Sequence, residues 1–443
     1  MSKQPAITRA ERPRQQSRRA FLKSAALGGA GLCLLSYRTQ PGEEPPSERL
    51  NLAVVGCGGR GAGNLSELPK DVNIVALCDV DETHAGESFK RYPRASKFSD
   101  FRVMLDKAHK EIDAVLVATP DHTHAVVGAA VLKAGKHLYC EKPLTHSVHE
   151  ARVLTDLARE KKLATQMGTQ IHAGANYRRA VELVWSGAIG EVKEVHVWNP
   201  ARYSPGDRPK DTPPVPAGLD WDLWLGPAPQ RPYHPCYVPG NWRGWWDFGT
   251  GGLGDFFCHY VDLAFWALKL RHPVSVEAEG SPLHPESCAQ WIIARYEFPA
   301  RENLPPVKLT WYDGGKQPSL LDEAKLPPWK AGVLFVGDKG QLMADYGQRK
   351  LFPEEKFKDF QPPKPTIPDS IGHHQEWVKA CKTGSPTTCN FDYSGPLTEA
   401  ALLGIVAYRS GEKFQWNAKD LKPVNAPKAE QYIQREYRQG WRL

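Results

Sequence analysis

No two of the nine cysteines in this 443-residue chain form a C-x-x-C pair. The metal knuckles and dithiol redox centres built on that spacing therefore have no foothold, and no metal site is expected from cysteine. Long hydrophobic runs are missing too. The apolar stretch Ala25–Leu35 covers 11 residues, short of the roughly 20 that cross a bilayer. Charge of one sign is also scarce. The formal charge is +7, but residues 1–46 carry eight Lys and Arg against three Glu, so the remainder is close to +2. That balance gives no footing for a nucleic-acid partner. There is no internal repeat, and biased composition is confined to the first residues and to proline-rich loops. What remains, 41% hydrophobic and 24% charged, is the composition of a soluble globular protein of two or three domains.

The basic residues cluster before the apolar stretch. Ser17-Arg18-Arg19-Ala20-Phe21-Leu22-Lys23 ahead of Ala25–Leu35 resembles a twin-arginine export signal, an address read by a receptor and not an anchor. Leu32 before Cys33 makes a poor lipidation site. The expectation is a periplasmic product that engages the twin-arginine machinery and leaves residues 1–46 as signal and linker. One disulfide, Cys381 with Cys389 for example, fits such a compartment, but spacing alone does not establish it.

From Leu50 the pattern is strand, glycine loop, helix. Leu50–Gly56 reads as a buried parallel strand running into Gly56-Cys57-Gly58-Gly59-Arg60-Gly61. Further apolar strands are expected at 73–79, 112–119 and 137–140, with helices at 124–134 and 147–161 between them. Alternation of this kind builds a doubly wound parallel sheet. After residue 168 the texture changes to an α+β domain with a large, mainly antiparallel open sheet. Its strands are expected near 192–198, 274–279, 290–298, 307–311 and 332–336, and its late helices at 372–382 and 396–409. The expected domains are thus 47–168 and 169–443.

The loop is a G-x-G-x-x-G placed where a dinucleotide needs it. Gly56 permits the turn, Gly58 lets backbone approach a pyrophosphate, and Gly61 allows close helix packing. Asp79, 23 residues after Gly56, stands near the distance of about 20 expected for a carboxylate on the ribose 2′-hydroxyl. A carboxylate there repels a 2′-phosphate, so NAD is preferred to NADP. Arg60, which can contact a phosphate, pulls the other way.

Three further segments complete a pattern: Thr119-Pro120-Asp121-His122-Thr123-His124, Cys140-Glu141-Lys142-Pro143, and Gly254-Asp255-Phe256-Phe257-Cys258-His259. With the glycine loop they resemble the Gfo/Idh/MocA oxidoreductases, which include glucose–fructose oxidoreductase and inositol dehydrogenases. The likeness runs from about Leu50 almost to the C-terminus, and within it a twin-arginine-exported bacterial subgroup is the nearest in character. The resemblance implies a Rossmann domain with Gly56, Gly58, Gly59, Arg60, Gly61, Asp79, Thr119, Pro120, His124, Glu141 and Lys142 around the cofactor. It makes Lys142 the lysine facing the nicotinamide and the reacting hydroxyl, and His259 the general base. Asp255, four residues before His259 and on the same helical face, then binds substrate or holds the imidazole. Asp262 either supports that pair or lies on polar helix surface.

Two departures bear on specificity. Thr169-Gln170-Ile171-His172 stands where the family often has an aromatic–asparagine–arginine segment, so Gln170 and His172 are expected to line a different pocket. Phe256-Phe257 occupies positions where small residues are common, which narrows the site or packs beneath it. Six of the fourteen tryptophans lie between Trp221 and Trp266. Flat indoles cover sugar rings, so Trp242, Arg243 and Trp246 join the expected substrate set.

These features imply an NAD-dependent dehydrogenase acting on a secondary alcohol of a sugar, glycoside or polyol, with a tightly held cofactor recycled by a second substrate. A homo-oligomer follows by resemblance. Two other classes stay open. A redox-assisted glycoside hydrolase would regenerate NAD at each turn, though such relatives tend to lack the lysine kept here as Lys142. A non-catalytic binding protein would hold a dinucleotide that no substrate reduces.

Overall fold

The computed structural model describes residues 48–443, so the export signal expected in residues 1–46 lies outside the described residues. Within them, six strands form one parallel sheet: β1 (Leu50–Val55), β2 (Val72–Cys78), β3 (Ser96–Phe98), β4 (Ala114–Val117), β5 (His137–Cys140) and β6 (Thr165–Met167). Their order is β3-β2-β1-β4-β5-β6, the doubly wound arrangement in which the order reverses between β1 and β4. A crevice at the carboxyl ends of those two strands is where such sheets bind ligands. The apolar runs of β1 and β4 are legible because both sheet faces are covered and nearly every residue is buried.

Four helices of this half position the site. Helix α1 (Gly59–Glu67) begins inside the glycine loop, α2 (Asp121–Lys133) leaves β4 through Pro120, and α3 (Val148–Lys161) packs on α2. Helix α3 starts with a capping box in which Ser147 and Glu150 each satisfy the other's backbone N–H. Helix α4 (Ala175–Trp185) then leads to the second sheet.

That sheet has nine strands: β7 (Val192–Trp198), β8 (Ser275–Gly280), β9 (Ile292–Phe298), β10 (Val307–Tyr312), β11 (Gly332–Gly337), β12 (Gly340–Ala344), β13 (Arg349–Phe352), β14 (Phe414–Asn417) and β15 (Lys422–Val424). The order is β13-β12-β11-β7-β10-β9-β8-β14-β15, antiparallel except where β10 pairs with β7. One face packs on α5 (Gly251–Leu268), a helix buried on nearly all sides against α4, β7, β11 and a later helix. Its sequence is correspondingly apolar, and Asp255, His259 and Asp262 are polar residues carried into that interior.

The last helices return to the first layer. Helix α6 (His373–Thr383) places Trp377 and Val378 against Leu50, Leu52 and Tyr139 of the parallel sheet. Helix α7 (Phe391–Ser410) packs on both α3 and α5. It begins five residues before the expected start at Pro396. The Asn390 side chain caps it through Tyr393 N, and the carbonyl of Asp392, which Pro396 cannot reach with an N–H, accepts from Arg271 Nη2 at 3.2 Å. The eight cysteines of the described residues are free thiols, so Cys381 and Cys389 are not joined. No helix among the described residues is long and apolar enough to cross a membrane.

Candidate active site

The glycine loop and His259 of α5 meet at one cavity of about 570 Å³, open along the carboxyl ends of β1 and β4. The nucleotide end is shaped by glycines that have no room for a side chain. Gly56 has φ +82°, and a Cβ there would lie 2.7 Å from the carbonyl of Ala118; a Cβ on Gly61 would lie 1.8 Å from the Gly56 oxygen. Gly58 lies so close to the His84 imidazole that a Cβ would come within 2.1 Å of it. Gly58 also precedes α1 without a side-chain cap. The first N–H groups of the helix are thus left for an anion, as a pyrophosphate requires.

Asp79, at the end of β2, accepts from Cys57 N at 2.6 Å and from Asp81 N at 3.0 Å. Burial raises its carboxyl above the ordinary value despite those bonds. Arg60 is committed elsewhere. Its guanidinium makes two bonds to Glu67, at 3.0 and 2.8 Å, and one to Glu141 at 3.2 Å. The cation that weighs against the preference for NAD is thus paired with two carboxylates, while Asp79 stands beside the loop. This cradle fits NAD.

At the other end, Lys142 comes from the loop after β5 and its ammonium forms an ion pair with Asp255 on α5. The same Nζ donates to the Asp255 carbonyl at 3.0 Å, which leaves one of its three N–H groups for the cavity it lines. Phe256 lies under the ammonium, its ring centroid 5.8 Å from Nζ. Phe257 faces away and packs on Tyr296 and Trp311 in the core. Neither of the two bulky residues lines the cavity: Phe256 backs the lysine and Phe257 is buried in the core.

Asp255 plays neither part expected of it. It is absent from the cavity wall, and its carboxylate takes Lys142, the Tyr203 hydroxyl at 2.9 Å and the Arg243 guanidinium at 3.6 Å. Burial alone would raise this carboxyl, but Lys142 and Arg243 hold it at about 2. The residue sits behind the lysine and fixes it. His259 does line the cavity, and its Nδ1 has no hydrogen-bond partner. Burial, with Lys142 adding to it, lowers its pKa to about 3, so the imidazole is neutral.

Asp121, at the start of α2, also lines the cavity; it lies within the Thr119–His124 motif, from which no role is expected for it. Thr250 donates to it at 2.8 Å. Burial, together with the charge of Asp255, raises its carboxyl to about 7. The other motif residues hold the frame. His124 has Nδ1 at 2.8 Å from the Pro143 carbonyl and Nε2 at 2.8 Å from that of Thr119, tying the two loops that carry Lys142 and Pro120. Glu141 accepts from Asn64 and Gln170, each at 2.9 Å.

The expected substrate residues divide. Gln170, Trp242 and Arg243 line the cavity, with the Arg243 guanidinium 4.2 Å from the Trp242 ring centroid. His172 does not. It is buried, with Nδ1 at 2.9 and 3.0 Å from the two oxygens of Asp262, and it stacks on Trp266 at 4.2 Å. Asp262 also accepts from Tyr393 at 2.7 Å, so it is an interior partner and not helix surface. His172, Asp262 and Cys389 place ligand atoms within 4.8 Å of one another, but the first two already satisfy each other. Trp246, also expected to meet substrate, packs instead against Tyr408 and Arg409, away from the cavity. Trp221, Trp224 and Trp245 form an aromatic core with Tyr237 and Phe248 behind the site, and of these only Trp224 reaches the cavity. Trp441, near the C-terminus, also reaches it and carries no signal in the sequence.

Residues 50–169 match an oxidoreductase family described as an NAD-binding Rossmann fold (GFO_IDH_MocA), and residues 182–304 match its C-terminal α/β domain, together more than half of the chain. Levoglucosan dehydrogenase of Pseudarthrobacter phenanthrenivorans is 34% identical over 200 residues, 42% of this chain and 40% of that protein. Inositol 2-dehydrogenase 2 of Saccharopolyspora erythraea is 34% identical over 161 residues, 35% of this chain and 47% of that protein. The chain thus spans less than half the length of these curated relatives. The WlbA dehydrogenase from Bordetella pertussis, solved with NADH and UDP-GlcNAcA, superposes with a TM-score of 0.61 at 16% identity, covering 83% of this chain and 99% of that one. At that identity the likeness is one of fold.

Proposed function

The chain belongs to the Gfo/Idh/MocA oxidoreductase family, and from that premise we propose that it oxidises a secondary alcohol of a sugar, glycoside or polyol with NAD. The observation that carries this reading is the shared cavity: the glycine loop, Lys142 and His259 line one space of about 570 Å³. Bound NAD supplies the hydride acceptor. The protein's own residues handle the hydroxyl. The remaining N–H of Lys142 donates to the substrate oxygen and stabilises negative charge developing there as the C–H bond breaks. His259, neutral because it is buried beside Lys142, takes the hydroxyl proton. Asp255, itself held by the Tyr203 hydroxyl, fixes Lys142 so that its one remaining N–H points to the cavity. Trp242 and Arg243 present a flat apolar face and a fork of donors to a polyhydroxylated ring. The curated relatives that act on levoglucosan and inositol support the substrate class.

Lys142→Ala and His259→Ala test the assignment. Each is expected to lose most turnover while the copurifying dinucleotide is retained. Near-wild-type rates in both variants would overturn it. Cleavage of glycosides without net NADH formation would instead support the redox-assisted hydrolase.

A further inference from the structure

We propose that the turn between β12 and β13 carries a second carbohydrate subsite beside the reaction centre, where the neighbouring sugar of a glycoside packs on Tyr346. This rests on the carbohydrate reading above and narrows it from sugars, glycosides and polyols to glycosides. Tyr346 is 39% exposed, one of few large apolar side chains left open among the described residues. The ring is held from three sides. It stacks on Tyr260 with centroids 4.8 Å apart, and it meets Tyr177 edge-on at 6.0 Å and His259 at 6.3 Å. Tyr177 in turn donates to the His259 carbonyl at 3.1 Å. The platform is therefore tied to the backbone of the residue assigned as base.

The turn itself is rigid. Asp345 accepts from Gly347 N and Gln348 N, both at 2.8 Å, and from Gln348 Nε2 at 3.0 Å. Asn176 of α4 donates to the carbonyls of Asp345 and Gln348, again at 2.8 Å. A hollow of about 620 Å³ opens over this turn, walled by Tyr260, Trp329, Lys330, Tyr346 and Gln348. Rigid aromatic faces with polar residues at the edge suit a pyranose, which has flat C–H faces and a rim of hydroxyls. The aromatic side chains are already packed on one another, so little of their conformational entropy is lost when the ring binds. A lipid chain would leave the polar edge unmatched.

Calorimetric titration of the holoprotein tests this with methyl glycosides of glucose, galactose and N-acetylglucosamine against the matched α- and β-linked disaccharides. At least one disaccharide is expected to bind roughly three- to tenfold more tightly than its methyl glycoside, the range of a single aromatic contact. Tyr346→Ala should erase that gap and leave methyl-glycoside affinity unchanged, while Tyr346→Phe keeps it. Equal affinity for both ligand classes, or an equal loss of both in Tyr346→Ala, overturns the subsite. Following absorbance at 340 nm in the same samples separates the two claims. Cofactor reduction without a disaccharide advantage removes the subsite and leaves the dehydrogenase. Tyr346-dependent disaccharide binding without any reduction does the reverse.

Discussion

Replacing Lys142 with methionine keeps most of the length of the side chain and deletes its charge, leaving Asp255 buried with only Tyr203 and the more distant Arg243. The Asp255 carboxyl is 8% exposed and the lysine 14%, so solvent screens the pair little. Its carboxyl pKa falls from 3.8 to about 2, which corresponds to about 2 kcal/mol at about 1.4 kcal/mol per tenfold change. Burial works against that fall, so the attraction from its partners exceeds it. Removing one member of a buried ion pair typically costs about 3–5 kcal/mol, or roughly 4–6 °C of melting temperature in a chain of this size. The sign follows from the direction of the shift. A depressed carboxyl contributes stability fully above 3.8 and loses it as pH falls toward 2. At pH 8 Lys142→Met should therefore melt several degrees below wild type. Between pH 4 and pH 3 the deficit should shrink, because the wild-type pair then begins to lose its contribution. Adding Asp255→Asn to Lys142→Met should restore part of the loss at pH 8. Matched thermal scans of the three proteins give the answer. A Lys142→Met protein as stable as wild type at pH 8, or a deficit unchanged between pH 4 and pH 3, would refute the buried pair.

Three other outcomes follow, two from the same geometry and one from the export signal expected in residues 1–46. Burial and the neighbouring Asp255 charge raise the Asp121 carboxyl from 3.8 to about 7, so the folded protein holds a proton that the unfolded chain releases. Native stability then falls as pH rises from about 4 to 7 and is flat beyond, and the advantage of Asp121→Asn should grow across that window to at most about 4 kcal/mol; a difference independent of pH contradicts this. Gly61→Ala would put a Cβ 1.8 Å from the Gly56 oxygen, whereas Gly86→Ala meets nothing within 4 Å. The first should purify without dinucleotide and the second with it, as absorbance and mass spectrometry will show. Arg18→Lys combined with Arg19→Lys should hold the precursor in the cytoplasmic fraction; normal periplasmic yield removes the export reading.

The elements legible in the sequence are those whose surroundings impose a regular pattern. Strands β1, β4 and β5 lie within a sheet covered on both faces, so their apolar runs are continuous. The β9 pattern alternates because one face is packed and the other carries Arg295 and Glu297. Strands β3 and β6 are three residues long, too short to carry a period. The motif residues Lys142 and His259 are visible as types at fixed spacing. Their neighbours are not, because contacts across long sequence separations leave no local trace. Asp255 meets Lys142 from 113 residues away, and Tyr203 arrives from a proline- and glycine-rich segment. The i, i+4 spacing of Asp255 and His259 is a true statement about one helix face. It does not reveal that the aspartate turns to the lysine. His172 reads as a pocket residue because no local sign shows that Asp262, 90 residues on, takes its Nδ1. Trp246 and its neighbours read as sugar contacts for a related reason, since an aromatic core behind a site has the same composition as one lining it.

Whether one cavity brings NAD and a carbohydrate hydroxyl together between Lys142 and His259 is open to a direct test. The nucleotide that copurifies with the protein is identified, and absorbance at 340 nm is then followed as sugars, glycosides and polyols are added. Bound NAD that at least one carbohydrate reduces is expected, with the rise abolished in Lys142→Ala. Bound NAD that no carbohydrate reduces, or a rise that survives in Lys142→Ala, would contradict the assignment.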